Sequence, residues 1–461
     1  MAPPTPRSPD ATTRLTHSTA HGRELLTALY DAAVAGAAPG SLTTAALQDF
    51  QARADQRLWL YAFGKAAHPM AAAATTTLQR SLHRIVGGVL VSPEASPSPA
   101  ATIVSLQGDH PLPGRHSFTA AQRLGDITTG MRSDDVAIVL ISGGTTSLIA
   151  APLRGMAESD LGQLFELLLG SGLDIKQMNA VRKRFSRWGA GRLALALAPA
   201  RTLVYVMSDV LGDNPADIGS GPCTPDDYTV KDVIGLLQQT GIYPRLSAAM
   251  REYLTNVGRG VVPETPRPTH PAFAHVKTRV IGSNRLALDA VRLHAKERGL
   301  AVECDSAPLQ GDAATCGTRI ADSLIKRAAD GFTGCIAWGG ETTVHLGGRP
   351  SSLAGAADGP PIGGRCQELA LAASRRLSSA VDGATRISIL AAGTDGRDGT
   401  TDAAGAFADS DLWSAMRLNG QDPELALQRH DAHAVLAASG ALLPRRFTGT
   451  NVMDVVLGVI E

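Results

Sequence analysis

The chain has 461 residues, which at roughly 150 residues per domain indicates two or three domains. Its apolar fraction of 44% suffices for a globular core, and 43 basic residues balance 43 acidic ones, so the formal net charge is zero. With 9 Phe, 4 Trp and 6 Tyr and no basic stripe, the composition argues against a nucleic-acid-binding protein.

Cysteine usage and hydropathy give two further exclusions. The five cysteines are widely spaced and form no C-x-x-C pair, so neither a zinc ribbon nor a disulfide framework is predicted. No signal-peptide-like apolar run opens the chain, and no stretch reaches the ~18 consecutive apolar residues of a membrane span. We therefore expect a cytoplasmic protein without membrane contact.

Short apolar runs rich in Val, Ile and Leu recur along the chain, and each ends in a turn that carries Gly or Asp. Continuous apolarity of this length predicts strands buried on both faces, as in a parallel sheet. The predicted strands are 58–63, 85–91, 103–106, 136–141, 203–207, 278–281, 301–304, 335–338, 387–392 and 452–460. Segments of helical periodicity lie between them, at 116–131, 158–169, 179–197, 284–298, 313–329 and 366–377. This alternation predicts an α/β protein with right-handed crossovers.

The clearest break in the pattern is GRGVVPETPRPTHPA, at residues 258–272. Its four prolines remove amide donors and favour extended backbone, which predicts a linker. The linker separates a predicted domain at 1–257 from another at 274–461. A second irregular stretch, 347–364, predicts a long loop inside the second domain.

Polar, Gly-rich turns follow the strands of the first half, and in open α/β sheets that edge binds ligands. Lys65 follows the first strand. A lone Lys is often a solvated surface residue, but this one is among only 7 Lys against 36 Arg, and an ammonium beside helix amides suits an anionic ligand. Ser142, Gly143 and Gly144 form a second turn, in which two glycines let the backbone approach a phosphate. An ordinary βα turn is the alternative for that segment.

Two familiar nucleotide-binding patterns are missing from the sequence. Neither a Walker A loop nor the G-x-G-x-x-G fingerprint of nicotinamide enzymes occurs.

Asp209 closely follows the strand 203–207, where a carboxylate can hold Mg²⁺ or accept a proton, and a turn with Ser220 and Gly221 comes after it. The cationic segment 178–184 is equally consistent with a solvated helix face and with a ligand site.

Beyond the break, acidic residues accumulate beside an arginine. Glu341 follows the strand 335–338, Arg365 opens a helix, and Asp395 begins an acidic, Gly-rich turn after the strand 387–392. Acidic groups beside Arg365 can bind Mg²⁺ and phosphate together, although turn carboxylates often only satisfy backbone amides. His68, His110 and His345 lack metal-type spacing, and we interpret them as packed or capping residues.

Ten motifs occur in the order found in one protein family. They are GKAA at 64–67, GDHPLP at 108–113, SGG at 142–144, MNAVRK at 178–183, SDVLGD at 208–213, IGSGP at 218–222, GGETTV at 339–344, GGR-x-QELAL at 363–371, GTDGRDGTTDAAGA at 393–406 and TGTNV at 448–452. From about residue 20 to its C-terminus the chain thus resembles the glycerate 2-kinases of the MOFRL type.

This resemblance implies ATP-dependent phosphorylation of D-glycerate, usually at the 2-hydroxyl, which yields 2-phosphoglycerate and ADP. It also implies a Rossmann-like N-terminal domain with a mostly parallel sheet, a smaller α/β C-terminal domain, and an active-site cleft between them. The implied catalytic residues are Lys65, Asp209, Arg365 and Asp395, and the general base stays open between the two aspartates. The implied nucleotide-binding residues are Ser142, Gly143, Gly144, Ser220, Gly221, Glu341, Thr450 and Asn451, and the implied Mg²⁺ ligands are Asp209, Glu341 and Asp395.

The chain departs from the family pattern at four places. It has SGGTTSLI for SGGGSALL, Trp188-Gly189-Ala190 for KGG, Cys366 for Asn, and Arg446-Phe447 for Gly-Pro. These changes leave open a related hydroxy acid as acceptor and a non-catalytic metabolite sensor. A separate alternative is an NAD(P)H-dependent hydroxypyruvate reductase, a label that family members often carry, but the missing nicotinamide fingerprint disfavours it. A homodimer is a further open alternative.

Overall fold

A computed structural model describes residues 11–53, 55–344, 361–380 and 386–461. The predicted loop 347–364 lies outside the described residues except at its last four positions. Contacts divide the chain into two compact units. The parallel-sheet unit comprises Ala38–Ser283 with Gly449–Asn451, and the mixed-sheet unit comprises Met1–Ala37, Asn284–Thr448 and Val452–Glu461. Each unit contains one six-stranded sheet, so the predicted α/β class is confirmed.

The sheet of the parallel-sheet unit has the strand order β3-β2-β1-β4-β5-β6, and all of its pairings are parallel. Its strands are β1 (Leu58–Phe63), β2 (Ile85–Ser92), β3 (Ile103–Gln107), β4 (Val136–Ile141), β5 (Arg201–Met207) and β6 (Val276–Gly282). The order reverses between β1 and β4, and such a switch point leaves a crevice beyond the carboxyl ends of the two strands. The predicted Rossmann-like parallel sheet is therefore confirmed.

The helices of this unit cover the sheet. They are α2 (Pro39–Leu47), α3 (Ala67–Arg80), α4 (Arg115–Thr128), α5 (Thr145–Leu148), α6 (Glu158–Leu169), α7 (Ile175–Phe185), α8 (Arg192–Leu197), α9 (Val230–Gln239) and α10 (Ala248–Gly258). The predicted helix 179–197 is two helices, α7 and α8. The chain turns between them because Ala190 and Gly191 donate to the carbonyl oxygens of Ser220 and Gly221, at 2.9 and 2.8 Å.

The Pro-rich segment 258–272 is not a linker between the units, so that prediction is wrong. Both of its flanks belong to the parallel-sheet unit, because β6 pairs with β5 beyond it. Polar residues between the prolines anchor the segment. Arg184 donates to Glu264, and Thr265 Oγ1 donates to Asp226 Oδ2 at 2.9 Å. The prolines limit the backbone, and the Arg184–Glu264 ion pair and the Thr265–Asp226 hydrogen bond hold the segment in place.

The sheet of the mixed-sheet unit has the order β11-β10-β9-β12-β8-β7. Its strands are β7 (Val302–Cys304), β8 (Gly334–Gly340), β9 (Ile387–Gly393), β10 (Ala403–Asp409), β11 (Leu442–Pro444) and β12 (Asp454–Ile460). Only β7 and β8 pair in parallel, and the other neighbours are antiparallel. The expectation of parallel pairing is wrong for these runs, because burial on both faces, and not strand direction, makes them continuously apolar.

Seven helices complete the described part of this unit. They are α1 (Ala11–Gly36), α11 (Asn284–Glu297), α12 (Ala313–Ala329), α13 (Arg365–Ser378), α14 (Leu412–Leu418), α15 (Pro423–Arg429) and α16 (Ala432–Ala438). α1 opens the chain but packs on α11, where a Cβ on Gly36 would meet Ala290 Cβ at 2.2 Å. The two compact units therefore have different bounds from the predicted domains 1–257 and 274–461, because those domains were assigned from chain order alone.

No helix within the described ranges combines the length and the apolarity that crossing a bilayer requires.

Candidate active site

The turns after β1 and β4 touch each other at the switch point of the parallel sheet. A Cβ on Gly64, whose φ is +117°, would lie 2.2 Å from Ser142 Oγ. Lys65 N donates to Gly143 O at 2.9 Å, and Ala66 N donates to Ser142 Oγ at 3.0 Å. The Ser142 hydroxyl therefore ties the two turns together. It also donates to Phe63 O, the carbonyl oxygen that precedes Gly64, at 3.3 Å.

Lys65 and Asp209 lie on either side of this pair of turns. Lys65 is exposed, and its Nζ makes no hydrogen bond or ion pair with any residue that the structure describes. A Cβ on Gly143 would lie 1.8 Å from Asp209 Oδ2, so only glycine lets the carboxylate rest on the turn. Burial raises the pKa of Asp209, and the Lys65 ammonium partly opposes that rise. The structure thus brings together Lys65, Gly143 and Asp209, as their positions after neighbouring strands predict.

Ser220 joins the same group of turns. Its backbone is left-handed, with a φ of +64°, and its Oγ lies 2.9 Å from Thr146 Oγ1. A Cβ on Gly219 would meet Thr145 Cβ at 2.7 Å, so the Gly219–Gly221 turn packs closely on the start of α5. Thr145 and Thr146, which depart from the family pattern, thus bond within the site's own loops, since Thr145 Oγ1 donates to Ser142 O at 2.7 Å.

His110 is a residue of this site that the sequence analysis missed. A Cβ on Gly144 would lie 3.0 Å from His110 Cδ2, 3.3 Å from its Nε2 and 3.5 Å from Lys65 Cγ. In the sequence, only the position of His110 indicated that it could belong to the site, since GDHPLP follows β3 at the carboxyl edge of the sheet. Metal-type spacing, the criterion applied to the histidines, could not detect it.

The cationic segment 178–184 is neither a solvated face nor part of these turns. Lys183 is buried, with its Nζ 3.0 Å from Asp226 Oδ1, and the fully buried Arg184 also pairs with Asp226. Buried charges persist where they are paired in this way. These side chains stabilise the parallel-sheet unit and its anchored segment 258–272.

A second cluster lies at one edge of the mixed sheet. Asp454, the first residue of β12, is paired in register with Gly340 and with Gly393, which precede Glu341 and Asp395 closely in the chain. Arg365, the first residue of α13, donates from Nε and Nη2 to the two oxygens of Asp454 at 2.5 and 2.9 Å. Its Nη1 lies 2.8 Å from Glu341 Oε1. Arg365 and Glu341 are thus brought together as predicted, whereas Asp454 was missed.

These contacts fix the orientation of Arg365. Each of its three guanidinium nitrogens faces a carboxylate oxygen of Asp454 or Glu341. Burial alone would lower the pKa of Arg365, but the Asp454 hydrogen bonds and the electrostatic attraction of Asp454, Cys366 and Glu341 together raise that pKa. Burial also raises the pKa of Asp454, against the lowering effect of Arg365.

Asp395 lies beside the same pair. A Cβ on Gly393 would be 3.0 Å from Asp395 Oδ1 and 3.5 Å from Asp454 Oδ1. Asp395 Oδ1 accepts from Arg397 N at 3.0 Å, and its carboxylate forms no ion pair within the described part of the chain. Asp395 is therefore the acidic side chain of this cluster that is best placed to receive a ligand.

Asp398, three residues further on, has a structural role that the sequence analysis did not assign. It accepts from Cys366 N at 3.1 Å and from Gln367 N at 2.8 Å, and so caps the first turn of α13. Burial raises the pKa of Asp398 to about 6, although these hydrogen bonds oppose the rise. Asp398 thereby fixes the helix end that carries Arg365.

Thr450 and Asn451 do not group with the second cluster. The segment Gly449–Asn451 belongs to the parallel-sheet unit, although both of its flanks belong to the mixed-sheet unit. On one flank, Val452 N donates to Thr394 Oγ1 at 2.9 Å. Among the residues with assigned positions, no three His, Cys, Asp or Glu side chains are arranged to hold a metal ion. The assignment of Asp209, Glu341 and Asp395 as Mg²⁺ ligands stays a prediction.

Comparisons with known proteins agree with the motif-based resemblance. Residues 25–255 match a domain of unknown function, DUF4147, and residues 334–454 match the MOFRL family. The D-glycerate 2-kinase of Thermotoga maritima is 33% identical over 413 residues, which cover 88% of this chain and 91% of that protein. A putative hydroxypyruvate reductase of Agrobacterium vitis is 32% identical over 97% of this chain and 96% of its own length.

A solved structure extends this similarity to the fold. The crystal structure of glycerate kinase from Thermotoga maritima superposes with a TM-score of 0.81 at 32% identity, covering 95% of this chain and 99% of that one. The fold and the kinases among these relatives identify an α/β phosphotransferase. The chain belongs to the MOFRL-type glycerate 2-kinase family, and the resemblance inferred from its motifs is confirmed.

Proposed function

We propose that this enzyme transfers the terminal phosphoryl group of ATP to D-glycerate, at the 2-hydroxyl, and releases ADP. In this reaction the hydroxyl oxygen forms a bond to the terminal phosphorus, and the bond from that phosphorus to the bridging oxygen of ADP breaks. The hydroxyl proton passes to a base. Phosphoryl transfer of this kind depends mainly on positioning and on neutralising charge.

The observation that carries the proposal is the exposed ammonium of Lys65 beside the Gly143–Gly144 turn. It lies at a switch point, where open α/β sheets bind ligands, and next to the first turn of α3. Amides at a helix N-terminus and a nearby cation favour an anion such as phosphate. Because Lys65 has no ion-pair partner among the described residues, its charge is available to a ligand.

Asp209 is our candidate for the group that accepts the hydroxyl proton. Its carboxylate touches the Gly143 turn, and burial raises its pKa toward the range in which a carboxylate is an effective base. Asp395, in the other unit, is the alternative base, and the two are distinguished below by substitution.

The donor set also suits Mg²⁺, which takes oxygen ligands and is usually bound by one or two carboxylates together with phosphate oxygens. Asp209 and Asp395 have no ion-pair partner in the described ranges, whereas Glu341 is engaged by Arg365. The aspartate that does not act as the base is therefore our first candidate for a Mg²⁺ ligand. Bound with ATP, the ion would neutralise phosphate charge. Arg365, held by Asp454 in the mixed-sheet unit, would act as a fixed positive charge.

The test is a coupled assay of ADP release. We expect turnover only when ATP, Mg²⁺ and D-glycerate are all present, and nuclear magnetic resonance of the product should locate the phosphate on the 2-oxygen. Lys65→Ala should lower kcat/KM by about 10²–10³, as expected for loss of a charge aimed at the transition state. Lys231→Ala, at another exposed lysine, is the matched control and should behave as wild type.

Three results would contradict the proposal. Oxidation of NADH or NADPH with hydroxypyruvate, without ADP release, would favour the reductase. Binding of ATP or D-glycerate without turnover would favour a sensor. Equal loss in Lys231→Ala and Lys65→Ala would remove the assigned role of Lys65. To identify the base, we compare turnover in two variants. Asp209→Asn should lower turnover more than Asp395→Asn does, and the reverse order would assign Asp395 as the base.

A further inference from the structure

The turn that carries His110 is held rigidly at the carboxyl end of β3. Asp109 accepts from the backbone nitrogens of His116 and Ser117, at 2.9 and 3.2 Å, and from His116 Nδ1 at 2.9 Å. Asp109 N in turn donates to Ser117 Oγ at 2.8 Å. A Cβ on Gly108 would lie 2.7 Å from Leu148 O, so the turn also packs on the end of α5. Residue 110 is therefore fixed between α4 and the Gly143–Gly144 turn.

The His110 ring places its Nε2 edge over Gly144 and beside the Lys65 side chain, as the distances of 3.3 and 3.5 Å from the Gly144 Cβ position show. Its ring nitrogens make no hydrogen bond with any residue that the structure describes. The side chain is exposed, which is unlike a histidine that serves only to fill a core. Burial of part of the ring, and next the Lys65 charge, lower the pKa of His110 to about 4.

We propose that His110 is a ligand-binding residue whose Nε2–H donates a hydrogen bond to an anionic oxygen bound on the Gly143–Gly144 turn beside Lys65. That oxygen belongs to the phosphate chain of ATP or to the carboxylate of D-glycerate. The assignment of these two ligands rests on the proposed function. A neutral imidazole suits this position because a protonated imidazole and the Lys65 ammonium would repel each other. A neutral N–H donor instead orients the bound oxygen without adding charge.

Three substitutions separate hydrogen bonding from packing. His110→Phe keeps a ring on Gly144 but removes both nitrogens. His110→Gln keeps an N–H donor near the position of Nε2, and His110→Asn keeps one near Nδ1 instead. We expect His110→Phe and His110→Asn to weaken binding of one of the two ligands about 10-fold or more, the effect of losing a hydrogen bond to a charged group. His110→Gln should stay within about 3-fold of wild type.

Calorimetry of a non-hydrolysable ATP analogue with Mg²⁺, and of D-glycerate separately, measures the two affinities and tells which ligand supplies the oxygen. His21→Phe, an exposed histidine on α1, is the matched control and should leave both Kd values unchanged. Thermal unfolding should give nearly the same Tm for all four variants, because residues 110 and 21 are both exposed. One of the two ligands should bind less tightly to His110→Phe and His110→Asn. In ¹⁵N-histidine spectra of the wild type, adding that ligand should shift the His110 Nε2 resonance.

The result that overturns the inference is a His110→Phe protein with wild-type Kd for both ligands, or a wild type whose His110 resonance is unmoved by either ligand. A wild type that binds neither ligand overturns it as well. Failure of the proposed function looks different: ligand binding and its dependence on His110 persist, but no ADP is released with D-glycerate.

Discussion

Replacing Asp454 by Asn tests whether the buried carboxylate holds Arg365 in its working position. Asn keeps the shape and one acceptor oxygen but removes the charge and leaves an amide facing the guanidinium. Losing both charge-assisted hydrogen bonds, at 2.5 and 2.9 Å, would lower the free energy of unfolding by at most about 3–6 kcal/mol.

Three features of the pair reduce that limit. The Arg365 side chain is 34% exposed, so solvent screens part of its charge, and Glu341 still pairs with its Nη1. Burial raises the pKa of Asp454, which means that removing its charge also removes a desolvation cost. We therefore expect a net loss of about 2 kcal/mol, which for a unit of this size lowers its Tm by about 4–8 °C.

The effect on activity should be larger than the effect on stability. With the Asp454 charge gone, the guanidinium is held by the exposed Glu341 alone, and a misplaced positive charge commonly costs about 10²-fold in rate. The assay combines scanning calorimetry with kcat/KM for D-glycerate. Asp330→Asn, at an exposed aspartate after α12, is the control and should match wild type in both.

A double-mutant cycle with Arg365→Ala completes this test. If Asp454 acts through Arg365, Asp454→Asn should have little further effect on kcat/KM once the arginine is absent. Wild-type kcat/KM in Asp454→Asn, or full additivity of the two substitutions, would refute the positioning role.

Three other predictions follow from close contacts and burial. Gly143→Ala should lower kcat/KM about 10²-fold, because the new Cβ would lie 1.8 Å from Asp209 Oδ2 and displace that carboxylate. Tyr30→Phe, which removes the buried hydrogen bond to Gly393 O at 2.7 Å, should cost about 1 kcal/mol in urea unfolding. Asp398 binds its proton more tightly in the folded state, so it makes stability fall as pH rises from about 4 to about 6; Asp398→Asn should flatten that slope, and an unchanged slope would contradict the assignment.

The first cluster was predictable because its geometry follows from sheet topology. β1, β4 and β5 are neighbours in a parallel sheet, so the turns after them meet at one edge, and Lys65, Gly143 and Asp209 come together. Buried parallel strands are continuously apolar, and this made them visible in the sequence. The position of a residue in the sequence could not predict the hydrogen-bond partners of its polar atoms. The Ser142 hydroxyl, for example, forms hydrogen bonds between the two turns.

The second sheet was harder to predict, for two physical reasons. β10 has the sequence AAGAFAD, which is poor in β-branched residues, yet all seven residues are buried. Packing against α13 and pairing with β9 override its low intrinsic β propensity. Strand direction leaves no mark in an apolar run, so the antiparallel pairing that sets Asp454 opposite Gly340 and Gly393 could not be read from the motifs.

The two basic residues at the centre of the proposal differ in a way that fits their chemistry. Arg365 presents a planar fork, and three nitrogens of that fork are matched to protein carboxylates, which fixes its orientation. Lys65 carries a compact charge on a flexible stem and is left unpaired by the described residues. A flexible ammonium can adjust to an anion that moves, whereas a pinned guanidinium presents its charge at one fixed place. Each residue is therefore poorly replaced by the other, although both supply one positive charge.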